Sequence, residues 1–401
     1  MDSTPGGTAM DILLLPGKRT PFAEYNGLLR HQRAQDLGAH AGKAALQAAS
    51  VDPGHIGHVV FGMVLHTTAD ALYAARHVGL NSGVPQEVPA LLVNRLCGSG
   101  FEAVADAARM LQAGDAKAVL AGGMEAMSQA PFVLRGDLRS GLKLGAGKLE
   151  DSLMQGLYDT QCGLYMAQTA ENIAKDRAIT REAQDAFAAT SQARAEAAWN
   201  SGIYAEEIAP MEVPQGRKTI VVDRDDHMRP GTTAESLSKL PAAFGKDGTV
   251  TGGNASGIVD GAAAMVVTTG DEAAKRGWTP IARVVASSAV GVEPARMGLG
   301  PVPAIRAVLD KAGLRLADMD FVEVNEAFAA QCLAVMHDLE LDPAKTNVDG
   351  GAIALGHPLA ASGSRLLLHL AYRLRSTGKR YGLASACIGG GMGMAVVIER
   401  C

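Results

Sequence analysis

Two stretches of this chain pass through the same series of elements. Residues 94–100 form a turn leading into a helical pattern, then into a buried strand over 116–123 that ends in Gly-Gly. Residues 347–363 lead into a second helical pattern, then into the glycine-rich segment 382–393. Each unit reads turn, helix, strand, glycine-rich turn. A repeat of this kind constrains the fold strongly. Two similar α/β halves set back to back place their strand ends and their turns around one shared cleft.

The remaining periodicity agrees. Strand patterns fall at 11–15, 59–64 and 88–93, with helical patterns at 37–49, 72–78 and 101–111. Alternation resumes late in the chain, with strands at 262–268, 281–289, 320–324, 380–386 and 392–398. Helices are expected there at 302–312, 328–336 and 363–374, the first of them closed by Gly313. The pattern predicts an α/β fold with a first half over residues 1–122, an inserted loop domain over 123–248, a return to the first half over 249–278, and a second half over 279–401. Within the insertion, 136–147 reads as loop, and 169–200 as a long helical region with a start near Thr180. The charge run Asp223-Arg224-Asp225-Asp226 reads as a solvated turn.

Composition narrows the function. A chain of 401 residues exceeds one small core. With a net charge of −5 and 4% aromatic residues it lacks the basic, base-stacking character of a nucleic-acid binder. No apolar run reaches membrane-spanning length, and residues 1–10 lack the basic and apolar regions of a secretion signal. The five cysteines are odd in number, far apart and without a CxxC pair, which points to reduced cytosolic thiols rather than disulfides or a zinc site. In that setting the sequon Asn254-Ala255-Ser256 carries no weight.

Chemistry-bearing residues gather at the turns. Cys97 lies between a strand and a helix, where unpaired N–H groups and the helix dipole are expected to lower a thiol pKa; the alternative is a buried free cysteine. Asn325-Glu326 follows a strand and is either a helix cap or a site, and capping alone favours the cap. His357, between Gly356 and Pro358, has a fixed backbone and suits general-base work near neutrality. Cys387-Ile388-Gly389-Gly390-Gly391 ends a strand. It mimics a dinucleotide fingerprint, but a strand pattern follows where that fingerprint needs a helix. The other reading is a thiol with glycine N–H groups free to bind developing negative charge. Residues 254–261, small and polar, either meet a ligand or form a capped loop. One thiol to carry an acyl group, a histidine to activate it and a second thiol as base match carbon–carbon chemistry on thioesters.

The motifs Asn94-Arg95-Leu96-Cys97-Gly98-Ser99-Gly100, Gly252 with Asn254-Ala255-Ser256-Gly257, Asn325-Glu326-Ala327-Phe328-Ala329, Gly356-His357-Pro358 and Cys387 to Gly393 resemble the thiolase family over nearly the whole chain. The nearest branch is the bacterial acetyl-CoA acetyltransferases. The resemblance implies a thiolase-like fold of two βαβαβαββ halves in five layers with an inserted loop domain, assembled as a homodimer or tetramer. It implies Cys97 as acyl-carrying nucleophile, His357 as its activator, and Cys387 as acid and base. Asn325, through a water, and His357 would form one oxyanion hole; the N–H groups of Cys97 and Gly389 would form the other. Ser256 and Ala255 would lie by the substrate, and Met166, Met297 and Phe328 near the acyl pocket. No metal and no cofactor beyond CoA thioester substrates is implied. The expected reaction joins two acetyl-CoA into acetoacetyl-CoA; the alternative is degradative thiolysis of longer 3-ketoacyl-CoA. Three departures stand out: Tyr165-Met166-Ala167 where many members have His-Met-Gly, Ala360 where a Gly is usual, and Phe101-Glu102 in place of Leu-Gln.

Overall fold

The computed structural model describes residues 10–401 apart from 137, 142, 143, 145, 146 and 246. The reading of residues 1–9, and part of that of 136–147, lies outside the described residues. The first half comprises β1 (Ile12–Leu14), α1 (Ala34–Ala48), β2 (His58–Gly62), α2 (Ala74–Asn81), β3 (Ala90–Val93), α3 (Ser99–Ala113) and β4 (Ala118–Glu125). An excursion containing α4 (Met166–Asp176) and α5 (Arg181–Asn200) follows. The chain then returns with β5 (Val259–Thr269). The second half holds β6 (Ala282–Gly291), α6 (Pro301–Ala312), β7 (Phe321–Val324), α7 (Ala329–Leu339), α8 (Leu359–Thr377), β8 (Tyr381–Ile388) and β9 (Met392–Arg400).

The main strands run in the order β3-β2-β4-β5-β1-β6-β9-β8-β7. The two halves therefore share a continuous sheet, joined where Leu13 of β1 stands opposite Arg283 of β6. β2 pairs in parallel with β3 and β4, and β7 with β8. Every residue of β4 and β5 is buried. A strand covered on both faces needs no polar alternation, which is why these two read as unbroken apolar runs.

The helices form layers around the strands. α3 and α8, one from each half, pack against each other, with Phe101, Val104 and Leu111 meeting Leu366, Leu367 and Leu370 between the strands of both halves. Leu37 and Val78 of α1 and α2 cover the outer face of the first half. Ile305 and Val335 of α6 and α7 cover that of the second. Truncating a buried leucine in the middle layer costs about 2–5 kcal/mol. Glycine makes the middle layer thin: a Cβ on Gly363 would sit 2.5 Å from the Phe101 amide nitrogen. This close approach holds the N-termini of α3 and α8 side by side, two residues beyond Cys97 and His357.

Several local expectations are corrected. The helical region 169–200 is two helices, separated by a turn in which Ala178 takes φ 50°. Thr180 caps the second, accepting the Ala183 N–H at 3.2 Å. α8 begins at Leu359, four residues before the periodicity suggested, and α2 begins at Ala74 after a single 3-10 turn. The charge run is not simply a solvated turn: Asp225 is 2% exposed and forms a fork with Arg19 at 2.7 and 2.8 Å.

Asp225 belongs to a buried ionic cluster that fixes the excursion to both halves. Arg19 also pairs with Glu207 at 2.7 Å. His369 of α8 bridges Glu207 (2.9 Å) and Asp349 (3.2 Å). Burial opposes charge on both partners, but Glu207 and Asp349 raise His369 to about 10, and Arg19 and His369 bring Glu207 to about 2. Among the described residues, no helix is long and apolar enough to cross a membrane.

Candidate active site

Cys97 is presented by a strained turn. Beyond β3, Asn94 Oδ1 accepts the Leu96 N–H at 2.9 Å, and Leu96 takes φ 48°, in the left-handed region that leucine avoids. Ser99 Oγ accepts the Arg95 N–H (2.9 Å) and donates to the Leu96 carbonyl (2.6 Å), which locks the bend. Gly98 leaves room for the Ile388 side chain, whose Cδ1 a Cβ at that position would run into. The expectation of a lowered thiol pKa is overturned. Burial pushes the Cys97 thiol up to about 11, against N–H groups of Gly389 and Cys97 itself that favour the thiolate; Glu125 adds to the rise. Proximity of two N–H groups is not enough when the sulfur is desolvated.

His357 follows Gly356, whose φ of 91° suits glycine. Its N–H donates to the Gly257 carbonyl at 2.9 Å. Nε2 lies 3.4 Å from Asn325 Nδ2, a donor, so Nε2 is the unprotonated nitrogen. Nδ1–H then donates to Ser362 Oγ at 2.5 Å, and the Ser362 hydroxyl donates to the Pro358 carbonyl at 3.3 Å. Burial, helped by Arg365, lowers the imidazole to about 4. Thiol and imidazole thus rest as a neutral pair, with the unprotonated Nε2 as the basic nitrogen.

Asn325 is no cap. α7 starts at Ala329 with Phe328 at the N-cap position, so Asn325 lies before the helix at the end of β7, its N–H on the Ser385 carbonyl at 2.9 Å. Its Oδ1 is buried without a hydrogen-bond partner among the described residues. Cys387 sits near the end of β8, 1% exposed, and burial pushes its thiol far up, with Cys97 adding to the rise. The turn after it, where Gly390 and Gly391 take φ 79°, re-enters a strand at Met392. No helix follows, and the dinucleotide reading is excluded.

One cavity of ≈ 260 Å³ gathers these groups. Cys97, His357, Cys387 and Gly389 line it together with Ala255, Ser256, Met166, Met297 and Phe328. Asn325 does not line it and stands behind His357. Asn254 is structural, holding Asp185 and the Thr249 carbonyl. Tyr165 forms part of the wall, its ring 5.3 Å from Phe244 and 4.9 Å from Tyr158. The rest of the lining is mostly apolar, including Met127, Met154, Leu157 and Leu359. Two residues absent from the sequence reading matter to this geometry. Ser362 fixes the His357 tautomer, and Glu125 is a fully buried carboxyl at the end of β4. A lone Glu closing an apolar strand pattern is the one signal that could have flagged the latter.

A five-layered α/β fold with two thiols and a neutral histidine around an apolar cleft defines a class that moves acyl groups between sulfur atoms. The profile "Thiolase, N-terminal domain" matches residues 12–271, and "Thiolase, C-terminal domain" matches residues 278–400. The chain belongs to the thiolase family, and it is an acyltransferase with thiolase function. It is 52% identical to the mitochondrial 3-ketoacyl-CoA thiolase of Homo sapiens over 391 residues, covering 97% of this chain and 98% of that protein. It is 47% identical to the acetyl-CoA acetyltransferase of Escherichia coli (strain K12) over 391 residues, covering 97% and 99%. The crystal structure of the human enzyme in complex with CoA superposes with a TM-score of 0.95 at 51% identity, covering 98% of each chain.

Proposed function

We propose that this chain catalyses the reversible, ping-pong interconversion of two acetyl-CoA with acetoacetyl-CoA and CoA. His357 Nε2 takes the Cys97 proton as the sulfur attacks a thioester carbonyl. The C–S bond to CoA breaks, and the leaving thiolate takes the proton from His357. In the second half-reaction the Cys387 thiol gives its proton to His357 Nε2, and the thiolate so formed takes the α-proton of a second thioester. The carbanion attacks the acyl carbonyl, the C–S bond to Cys97 breaks, and the leaving Cys97 sulfur takes the proton from His357, which restores the starting state. His357 and Asn325, the latter through a water, would hold the thioester oxygen in one half-reaction. The Cys97 and Gly389 N–H groups would hold it in the other. The observation that carries this reading is the convergence of Cys97, His357, Cys387 and Gly389 on one apolar cavity. Every role falls to the chain's own groups, so the reading calls for no cofactor beyond the CoA of the substrates and for no nucleic-acid or membrane partner.

A second reading, thiolysis of longer 3-ketoacyl-CoA, draws support from the apolar residues Met127, Met154 and Leu157 in the same cavity, and from the identity with the human 3-ketoacyl-CoA thiolase. Thiolysis rates on acetoacetyl-CoA and on 3-ketoacyl-CoA of six or more carbons, followed by loss of the enolate absorbance, separate the two. A rate confined to acetoacetyl-CoA supports the first, and a rate rising with chain length supports the second. A homodimer or tetramer is part of the proposal. The outer edge of the sheet is the apolar strand β3, with Leu91 39% exposed, an edge that pairing with another copy would cover. A reducing, cytosolic setting suits the free state of all five cysteines.

A further inference from the structure

Glu125 closes β4 with its side chain fully buried, and it is absent from the cavity lining. Its carboxyl accepts three backbone N–H groups from two distant segments. Val64 and Ala360 donate to Oε2 at 3.2 and 3.1 Å, and Leu65 donates to Oε1 at 2.9 Å. Ala360 lies three residues after His357, in the first turn of α8. On the other side, the Val64 carbonyl accepts from Asn94 Nδ2 at 3.3 Å, and Asn94 Oδ1 holds the Leu96 N–H next to Cys97. One carboxyl thus joins the His357 turn of the second half to the Cys97 turn of the first. We infer that Glu125 is a positioning residue, whose carboxyl group sets the spacing of the Cys97 and His357 turns and so serves acyl transfer without touching substrate.

Three observations favour this over a plain core polar group. Burying a carboxyl is costly unless its acceptor sites are filled, and every donor here comes from one of the two segments that lead to a reacting group. Its effect on the thiol runs the wrong way for activation: with burial, the nearby carboxylate helps hold the Cys97 thiol up, so lowering the thiol pKa is not its use. Finally, the internal repeat gives β4 and β8 eight residues each, and Glu125 ends the first strand where Cys387 stands one residue from the end of the second. The strand end that carries a reacting thiol in one half carries the staple in the other.

The inference rests on Cys97 being the acyl carrier of a thiolase, and the test keeps the two apart. In the full-length protein, Glu125→Gln leaves one acceptor oxygen for three donors and removes a carboxyl that burial raises to about 7. For thiolysis of acetoacetyl-CoA, kcat is expected to fall about tenfold to hundredfold, as for a misplaced reacting pair. KM for CoA should stay within about twofold, because no substrate contact is lost. Alkylation of Cys97 by iodoacetamide at pH 8, read as the mass of its peptide, should run no slower than in wild type, because Glu125, which burial raises to about 7, is charged there and disfavours the thiolate. A merely structural role would lower kcat and alkylation by the same factor, and that result overturns the inference. So does an unchanged kcat in the folded variant. Should Glu125→Gln not fold, Asn94→Ala, at an exposed position on the same link, decides. It should show the same split at smaller size, and no split overturns the inference. A wild-type protein without thiolysis would sink the thiolase reading instead.

Discussion

The Nδ1 of His357 lies 2.5 Å from the Oγ of Ser362, and this contact decides which ring nitrogen faces the cleft. A serine hydroxyl can accept the Nδ1–H without drawing the ring toward a positive charge, unlike a carboxylate. Burial, helped by Arg365, lowers the imidazole to about 4, so the ring is neutral near pH 7. Ser362→Ala frees the ring to take the other tautomer, which blocks Nε2 as a base. We expect kcat for thiolysis to fall by about tenfold with KM for CoA little changed. Steady-state kinetics on the folded variant checks this.

Asn325 lies behind His357, with its Nδ2 3.4 Å from Nε2 and its Oδ1 without a partner among the described residues. Asn325→Ala is expected to lower kcat by about 10²–10³, the cost of removing one oxyanion donor. Alkylation of Cys97 by iodoacetamide involves no oxyanion and should continue at close to the wild-type rate. Comparing the two rates on the same preparation checks the assignment.

Tyr165 is wedged against Phe244 and Tyr158 at the cavity wall. Tyr165→Ala removes a large ring from an apolar lining. The ratio of thiolysis rates on a six-carbon 3-ketoacyl-CoA over acetoacetyl-CoA is expected to rise about tenfold, the worth of a pocket change of a few methylenes. An unchanged ratio would assign acyl preference to other wall residues.

The His369 cluster predicts a pH-dependent stability. His369 stands at about 10 in the folded chain, above its unfolded value of about 6.5. Its stabilisation is therefore complete below about pH 6.5 and is lost as pH rises through about 10. Glu207, depressed to about 2, contributes above its unfolded value near 4.5 and loses that contribution as pH falls through about 2. His369→Gln should cost about 3–5 kcal/mol between about pH 4.5 and 6.5, because Glu207 and Asp349 are left buried beside an uncharged group. Thermal unfolding of both proteins across this range should show the gap narrowing toward pH 10.

The α/β alternation in two halves and the candidate residues at the turns were legible in the sequence for a physical reason, whereas the five layers and the residue roles came from the resemblance. Buried strands such as β4 and β5 need unbroken apolar runs, and reactive turns such as those of Cys97, His357 and Cys387 need glycines beside them. Local pattern misled where long-range partners decide. Asp225 sits in a run of charges, yet Arg19, 206 positions away, draws it into the core. Asn325 has the composition of a cap, but the helix starts later. The Cys97 thiol has the helix terminus that lowers a pKa, and desolvation outweighs it. Glu125 left no trace by spacing, because what it does depends on the two halves meeting, and Ser362 reaches the His357 ring only through the bend that the turn at 356–358 makes.

The central claim is that the two thiols of one cleft have different roles. The most direct test is transfer of radiolabelled acetyl from acetyl-CoA to protein, measured beside condensation in Cys97→Ala and Cys387→Ala. Cys97→Ala should take up no label and form no acetoacetyl-CoA. Cys387→Ala should be labelled at Cys97 yet lose condensation by about 10² or more. Equal labelling, or equal loss of it, in the two variants would contradict the account.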